Sequence, residues 1–79
     1  MNNTSLTLSE DDKTAVRYLW QAAMKTLSPE DRALPQVERI LPFFLRGIGM
    51  HHSGLLPILK ELTELLFDAQ LIKVFYSDS

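Results

Sequence analysis

The chain has no cysteine, which excludes a disulfide framework and a thiolate metal site. It has no apolar run near the roughly 18 residues of a membrane-spanning helix. Its start, Met1, Asn2, Asn3, Thr4 and Ser5, lacks the basic region and apolar stretch of a secretory signal, so an intracellular protein is expected. It has no block of one charge: 8 basic and 10 acidic residues leave a net charge of −2. That balance disfavours nucleic-acid binding driven by overall charge, but leaves open a specific contact made by backbone N–H groups. The 2 histidines are sequence neighbours, too few to close a zinc site. Glycine is scarce, with 3 in 79 residues, and no Gly-x-x-x-x-Gly-Lys-Ser/Thr phosphate loop occurs.

What is present is concentrated. All the glycines and both histidines fall within residues 47–57, GIGMHHSGLLP. This stretch reads as a short buried strand, a tight turn and the start of a helix. The rest fits around it in a chain long enough for one small domain, whose core supplies about 3–5 kcal/mol of net stability.

Residues 1–8 read as a loose polar lead-in. Ser9 is a candidate N-cap, with Glu10, Asp11 and Asp12 in the first turn, where the helix dipole favours negative charge. Val16, Leu19, Trp20, Ala23, Met24 and Leu27 recur at three- and four-residue spacing and predict a helix to about Leu27. Ser28 and Pro29, followed by acids, signal a second, short helical turn. Pro35 opens a third helix with Val37, Ile40, Leu41, Phe44 and Leu45 on its apolar side. Pro42 lies inside it and predicts a kink or a tightened turn there. Gly47 suits the left-handed residue after its end.

Residues 48–51 then form the expected strand, and His52, Ser53 and Gly54 the turn. A helix should run from about Leu55 to Asp68, with Leu55, Ile58, Leu59, Leu62, Leu65 and Leu66 inward and Lys60, Glu61, Thr63 and Glu64 in water. Ala69 and Gln70 close it. Residues 71–76, LIKVFY, read as a second strand. A strand, crossover helix and strand imply a parallel pair. Two parallel strands are not a stable sheet alone, and the helices carry more apolar surface than two short strands cover. The fold class is therefore α/β: part of a larger domain, mostly helical, with one strand-helix-strand unit.

The turn has the form of an anion site. It lies at the C-terminal end of a parallel strand, where open α/β sheets place ligands, and it precedes a helix N-terminus with unpaired N–H groups. Ser53 can cap the helix or donate to a phosphate oxygen. Gly54 lets a ligand approach the backbone. His51 and His52 can donate hydrogen bonds or stack on a base or sugar. The plainer reading is a capped turn with packed histidines. A catalytic Ser53–histidine pair fails on geometry, because neighbouring residues at a strand end point in different directions and no orienting carboxylate stands at a recognisable spacing.

The runs LPQVERILP (34–42), RGIGMHHSGLLPILKE (46–61), LLF (65–67) and LIKV (71–74) closely resemble the superkiller-type DExH-box RNA helicases, nearest to their nuclear, exosome-associated branch. The resemblance covers roughly residues 9–76, and the HHSGLLP run is its most specific part. It implies that residues 9–79 are a fragment of the second RecA-like domain of a superfamily-two helicase. It also implies that His51, His52, Ser53 and Gly54 touch the backbone of single-stranded RNA, with Leu55 packing. The partners it implies are single-stranded RNA, exosome-associated proteins and the rest of the helicase core, with no membrane, in the nucleus.

The chain also departs from the family. After Val74 the family continues with an Ala-Thr-Glu-Thr-like run, whereas Tyr76, Ser77, Asp78 and Ser79 stand here. The later arginine motif and the first RecA-like domain, with its phosphate loop and Asp-Glu magnesium motif, are not in these residues. ATP and magnesium serve the intact family. No cofactor is expected in this chain, and by itself it is expected not to hydrolyse ATP or unwind a duplex. The rival expectation is a stand-alone protein-interaction module docking through exposed apolar helix faces such as the Trp20 and Met24 stripe. A third is a small, weak nucleic-acid binder.

Overall fold

The computed structural model describes residues 8–78, with the backbone alone at His51, His52, Ser77 and Asp78. In chain order the elements are α1 (Glu10–Met24), α2 (Pro29–Arg32), α3 (Pro35–Phe44), β1 (Ile48–His52), α4 (Pro57–Asp68) and β2 (Val74–Asp78). The architecture is mostly helical with one parallel strand pair, compatible with a partial α/β domain. Among the described residues no helix is long and apolar enough to cross a membrane.

Both predicted serine caps form. The Asp12 N–H donates to Ser9 Oγ at 3.2 Å, and the Asp31 N–H donates to Ser28 Oγ at 3.2 Å. α1 stops three residues short of the expected Leu27. Thr26 Oγ1 donates to the Ala23 carbonyl at 2.7 Å, and the Thr26 and Leu27 N–H groups make short turn bonds to Ala23 and Met24. Ser28 then stands before Pro29, a position that disfavours helical backbone. α3 continues through Pro42 to Phe44.

Gly47 adopts φ 78°, and its carbonyl accepts from the N–H groups of Lys73 at 2.6 Å and Val74 at 3.2 Å. One left-handed glycine thus ends α3 and seeds the sheet. From there the strands run parallel in register, Ile48 beside Val74, Gly49 beside Phe75 and Met50 beside Tyr76. The second strand starts at Val74 and reaches Asp78, later than the expected 71–76. Leu71 and Ile72 are buried, but they belong to the approach to the strand, because the Leu71 N–H still turns back to the Leu66 carbonyl at the end of α4.

The core unites one face of each long helix. Val16, Trp20 and Ala23 of α1, Val37, Ile40 and Phe44 of α3, and Leu59, Leu62 and Leu66 of α4 are all buried. Trp20 meets Phe44 edge-on, with ring centroids 6.1 Å apart at 70°. Trp20 is thus core, as its place on the α1 stripe implies, which corrects only the rival expectation of an exposed docking residue; Met24 packs partly against the same cluster. Leu8, at the end of the expected lead-in, is itself buried in the core. Residues 1–7 lie outside the described residues. The α4 stripe is rotated from its expected position. Thr63, expected in water, is buried, and Leu65, expected inward, is 54% exposed. Thr63 is accommodated because its Oγ1 donates to the Leu59 carbonyl at 2.8 Å, which satisfies the hydroxyl.

Candidate nucleic-acid interface

The candidate turn joins β1 to α4. His52, expected in the turn, is the last residue of β1, so both histidines have their backbone in the strand, paired with Ser77 and Asp78. Their side chains lie outside what the structure describes. Ser53 and Gly54 are exposed, and Leu55 and Leu56 are half-buried. The turn therefore presents Ser53 and Gly54 at the C-terminal end of a parallel strand and tucks Leu55 under, as its packing role requires.

The helix start differs from expectation. α4 begins at Pro57 rather than near Leu55, and its N-cap is Leu56, with no side-chain cap bond. Ser53 therefore does not cap α4. The N-terminus of α4 is also poorer in donors than a typical anion site, because Pro57 at the first helical position has no N–H and the Leu56 N–H is already used. It donates to Gln36 Oε1 at 2.7 Å, while Gln36 Nε2 donates to the Gly54 carbonyl at 3.2 Å. Gln36 was not among the expected site residues. Its partners lie 18 and 20 residues downstream, and no local spacing signals such a contact.

Beside the turn lies an open hollow of about 290 Å³ lined by Gln36, Arg39, Ile40, Phe43, Met50 and Leu55. Arg39 is exposed and puts a cation on this side. Among the described residues no group of three or more His, Cys, Asp or Glu side chains is placed to hold a metal ion. The arrangement offers an exposed hydroxyl and exposed backbone at a strand end with one arginine nearby. That equipment suits contact with an anionic backbone and contains no described nucleophile–base pair.

A strand-helix-strand unit of this kind is compatible with a piece of an α/β domain. The sequence relatives specify it further. The chain is 54% identical over 69 residues to the DExH-box ATP-dependent RNA helicase DExH9 of Arabidopsis thaliana, covering 87% of this chain and 7% of the relative. It is 50% identical over 68 residues to the ATP-dependent RNA helicase mtr4 of Schizosaccharomyces pombe, covering 86% of this chain and 6% of the relative. It is 49% identical over 69 residues to the human exosome RNA helicase MTR4, covering 87% and 7%. No family model matches the chain. The chain belongs with the DExH-box RNA helicases, as a segment spanning about 7% of the length of such relatives.

Proposed function

We infer that this chain is a piece of the second RecA-like domain of an ATP-dependent RNA helicase acting in exosome-linked RNA processing and decay. In this reading it supplies a contact to the single-stranded RNA backbone at residues 51–54. The observation that carries the reading is identity of about half the residues, over 86–87% of the chain, to helicases that include an exosome RNA helicase. The exposed Ser53 and Gly54 at the end of β1 support the location of the contact. ATP and magnesium belong to the rest of the helicase core, and the nucleus is the matching compartment.

The exposed apolar residues support the same reading. Leu65, Phe67, Val74, Phe75 and Tyr76 are each at least 38% exposed beside a sheet of two strands, and a parallel sheet is normally covered on both faces. The rest of the helicase core is the proposed cover. Burial of Trp20 weakens the stand-alone docking alternative, which relied on that residue.

The experiment is a segment exchange. Residues 9–76 replace the matching segment of the human exosome RNA helicase, and RNA-stimulated ATP hydrolysis and duplex unwinding are measured. Both activities should persist. A folded chimaera that binds ATP yet shows neither would refute the assignment.

A further inference from the structure

Gln36 is the second residue of α3 and half-buried, and both ends of its carboxamide are engaged. Nε2 donates to the Gly54 carbonyl at 3.2 Å, and Oε1 accepts from the Leu56 N–H at 2.7 Å. These two backbone groups flank Leu55. One rigid planar group therefore sets their separation and direction. Leu56 caps α4 without a side-chain bond of its own, while Leu55 and Leu56 pack partly against the core and Ser53 is exposed. The platform under Gln36 is firm by contrast, since Val37, Ile40 and Phe44 of the same helix are buried.

We propose that Gln36 is the positioning residue of the RNA-contacting turn. It holds residues 53–56 in the shape in which Ser53 and Gly54 meet a phosphate, so the ordering entropy is settled before RNA arrives. This rests on the reading of the turn as an RNA contact. The requirement is for a carboxamide of this length. Glutamate keeps the acceptor for Leu56 but loses the donor to Gly54, asparagine is one methylene short, and methionine keeps the stem but replaces neither bond. Because Gln36 takes the Leu56 N–H and Pro57 has none, the phosphate is met by residues 53–54 and not by the first turn of α4.

The test uses the full 79-residue chain, labelled with nitrogen-15 and titrated with a short oligouridylate at low salt. Gln36→Met, Gln36→Glu and Ser53→Ala are compared with the wild type, and amide protection at Leu62 and Leu66 reports that each variant is folded. The Leu56 amide is expected to be protected in the wild type, in Gln36→Glu and in Ser53→Ala, and to exchange fast in Gln36→Met. Affinity is expected to fall about tenfold in Gln36→Met, the factor for ordering roughly one residue's backbone on binding, and by less in Gln36→Glu. Wild-type affinity in Gln36→Met with the Leu56 amide released overturns the proposal and leaves the RNA reading standing. If Gln36→Met loses Leu62 protection, Gln36→Glu decides, and wild-type affinity there overturns it equally. If the wild type shows no shift at Ser53 or Gly54, the RNA reading fails and the proposal falls with it.

Discussion

The Leu71 N–H donates to the Leu66 carbonyl at 2.8 Å across the end of α4, and both side chains are buried. With the Gln70 N–H donating to the Phe67 carbonyl at 2.9 Å, this is a Schellman closure. Its left-handed residue is Gln70, at φ 63°, where a side chain costs about 1 kcal/mol relative to glycine. Gln70 is exposed, so removing its side chain sacrifices little packing.

Gln70→Gly is therefore expected to stabilise the chain by about 1 kcal/mol, a rise of about 4–8 °C in melting midpoint for a domain of this size. Thermal unfolding followed by circular dichroism checks this. A lower midpoint would mean that the turn does not depend on the left-handed residue in this way.

Gly49 lies opposite Phe75 in the sheet. A Cβ there would stand 2.8 Å from Phe75 Cε1 and 3.1 Å from Ile72 Cγ2. Phe75 is 39% exposed, but moving its ring disturbs its contact with Phe67, 5.2 Å away between centroids, and Ile72 is buried and yields less easily. Gly49→Ala is expected to cost about 1–2 kcal/mol, as overpacking does. In a Phe75→Ala background the cost should shrink, a non-additivity that a double-mutant cycle in urea measures.

On α4, Leu62 is 2% exposed and Leu65 54%. Leu62→Ala is expected to cost about 2–5 kcal/mol, comparable to the entire stability of so small a core, and to leave the chain largely unfolded. Leu65→Ala should change stability by less than about 0.5 kcal/mol. Thr63→Val keeps the volume and removes the hydroxyl bonded to Leu59, an exchange expected to be close to neutral. Chemical denaturation of the three variants separates these outcomes, and equal losses at Leu62 and Leu65 would contradict the rotation of the buried face.

Features encoded locally were legible in the sequence. The Ser9 and Ser28 caps, the left-handed Gly47 and the parallel strand pair follow from residue types and order, and the structure contains them. Features set by distant contacts were not. Thr63 reads as polar and so as solvated, yet a bond to its own helix at Leu59 lets it sit in the core. Residues 71–73 have strand chemistry, but the Leu71 N–H turns back to the Leu66 carbonyl, and pairing with β1 begins only with the Lys73 N–H on the Gly47 carbonyl. The turn was legible as a location and misread in its construction. Ser53 reads as able either to cap the helix or to donate to a phosphate oxygen, whereas the cap position is Leu56 and the group that satisfies its N–H comes from Gln36 on another helix.

Photo-cross-linking of the chain to a short 4-thiouridine oligonucleotide at low salt, followed by peptide mapping, tests the RNA contact most directly. Binding is expected to be weak and barely measurable, since a chain of net charge −2 lacks the basic surface that sustains affinity. The account predicts adducts within residues 51–54. Adducts confined to Phe67, Phe75 or Tyr76, with none in the turn, would contradict it.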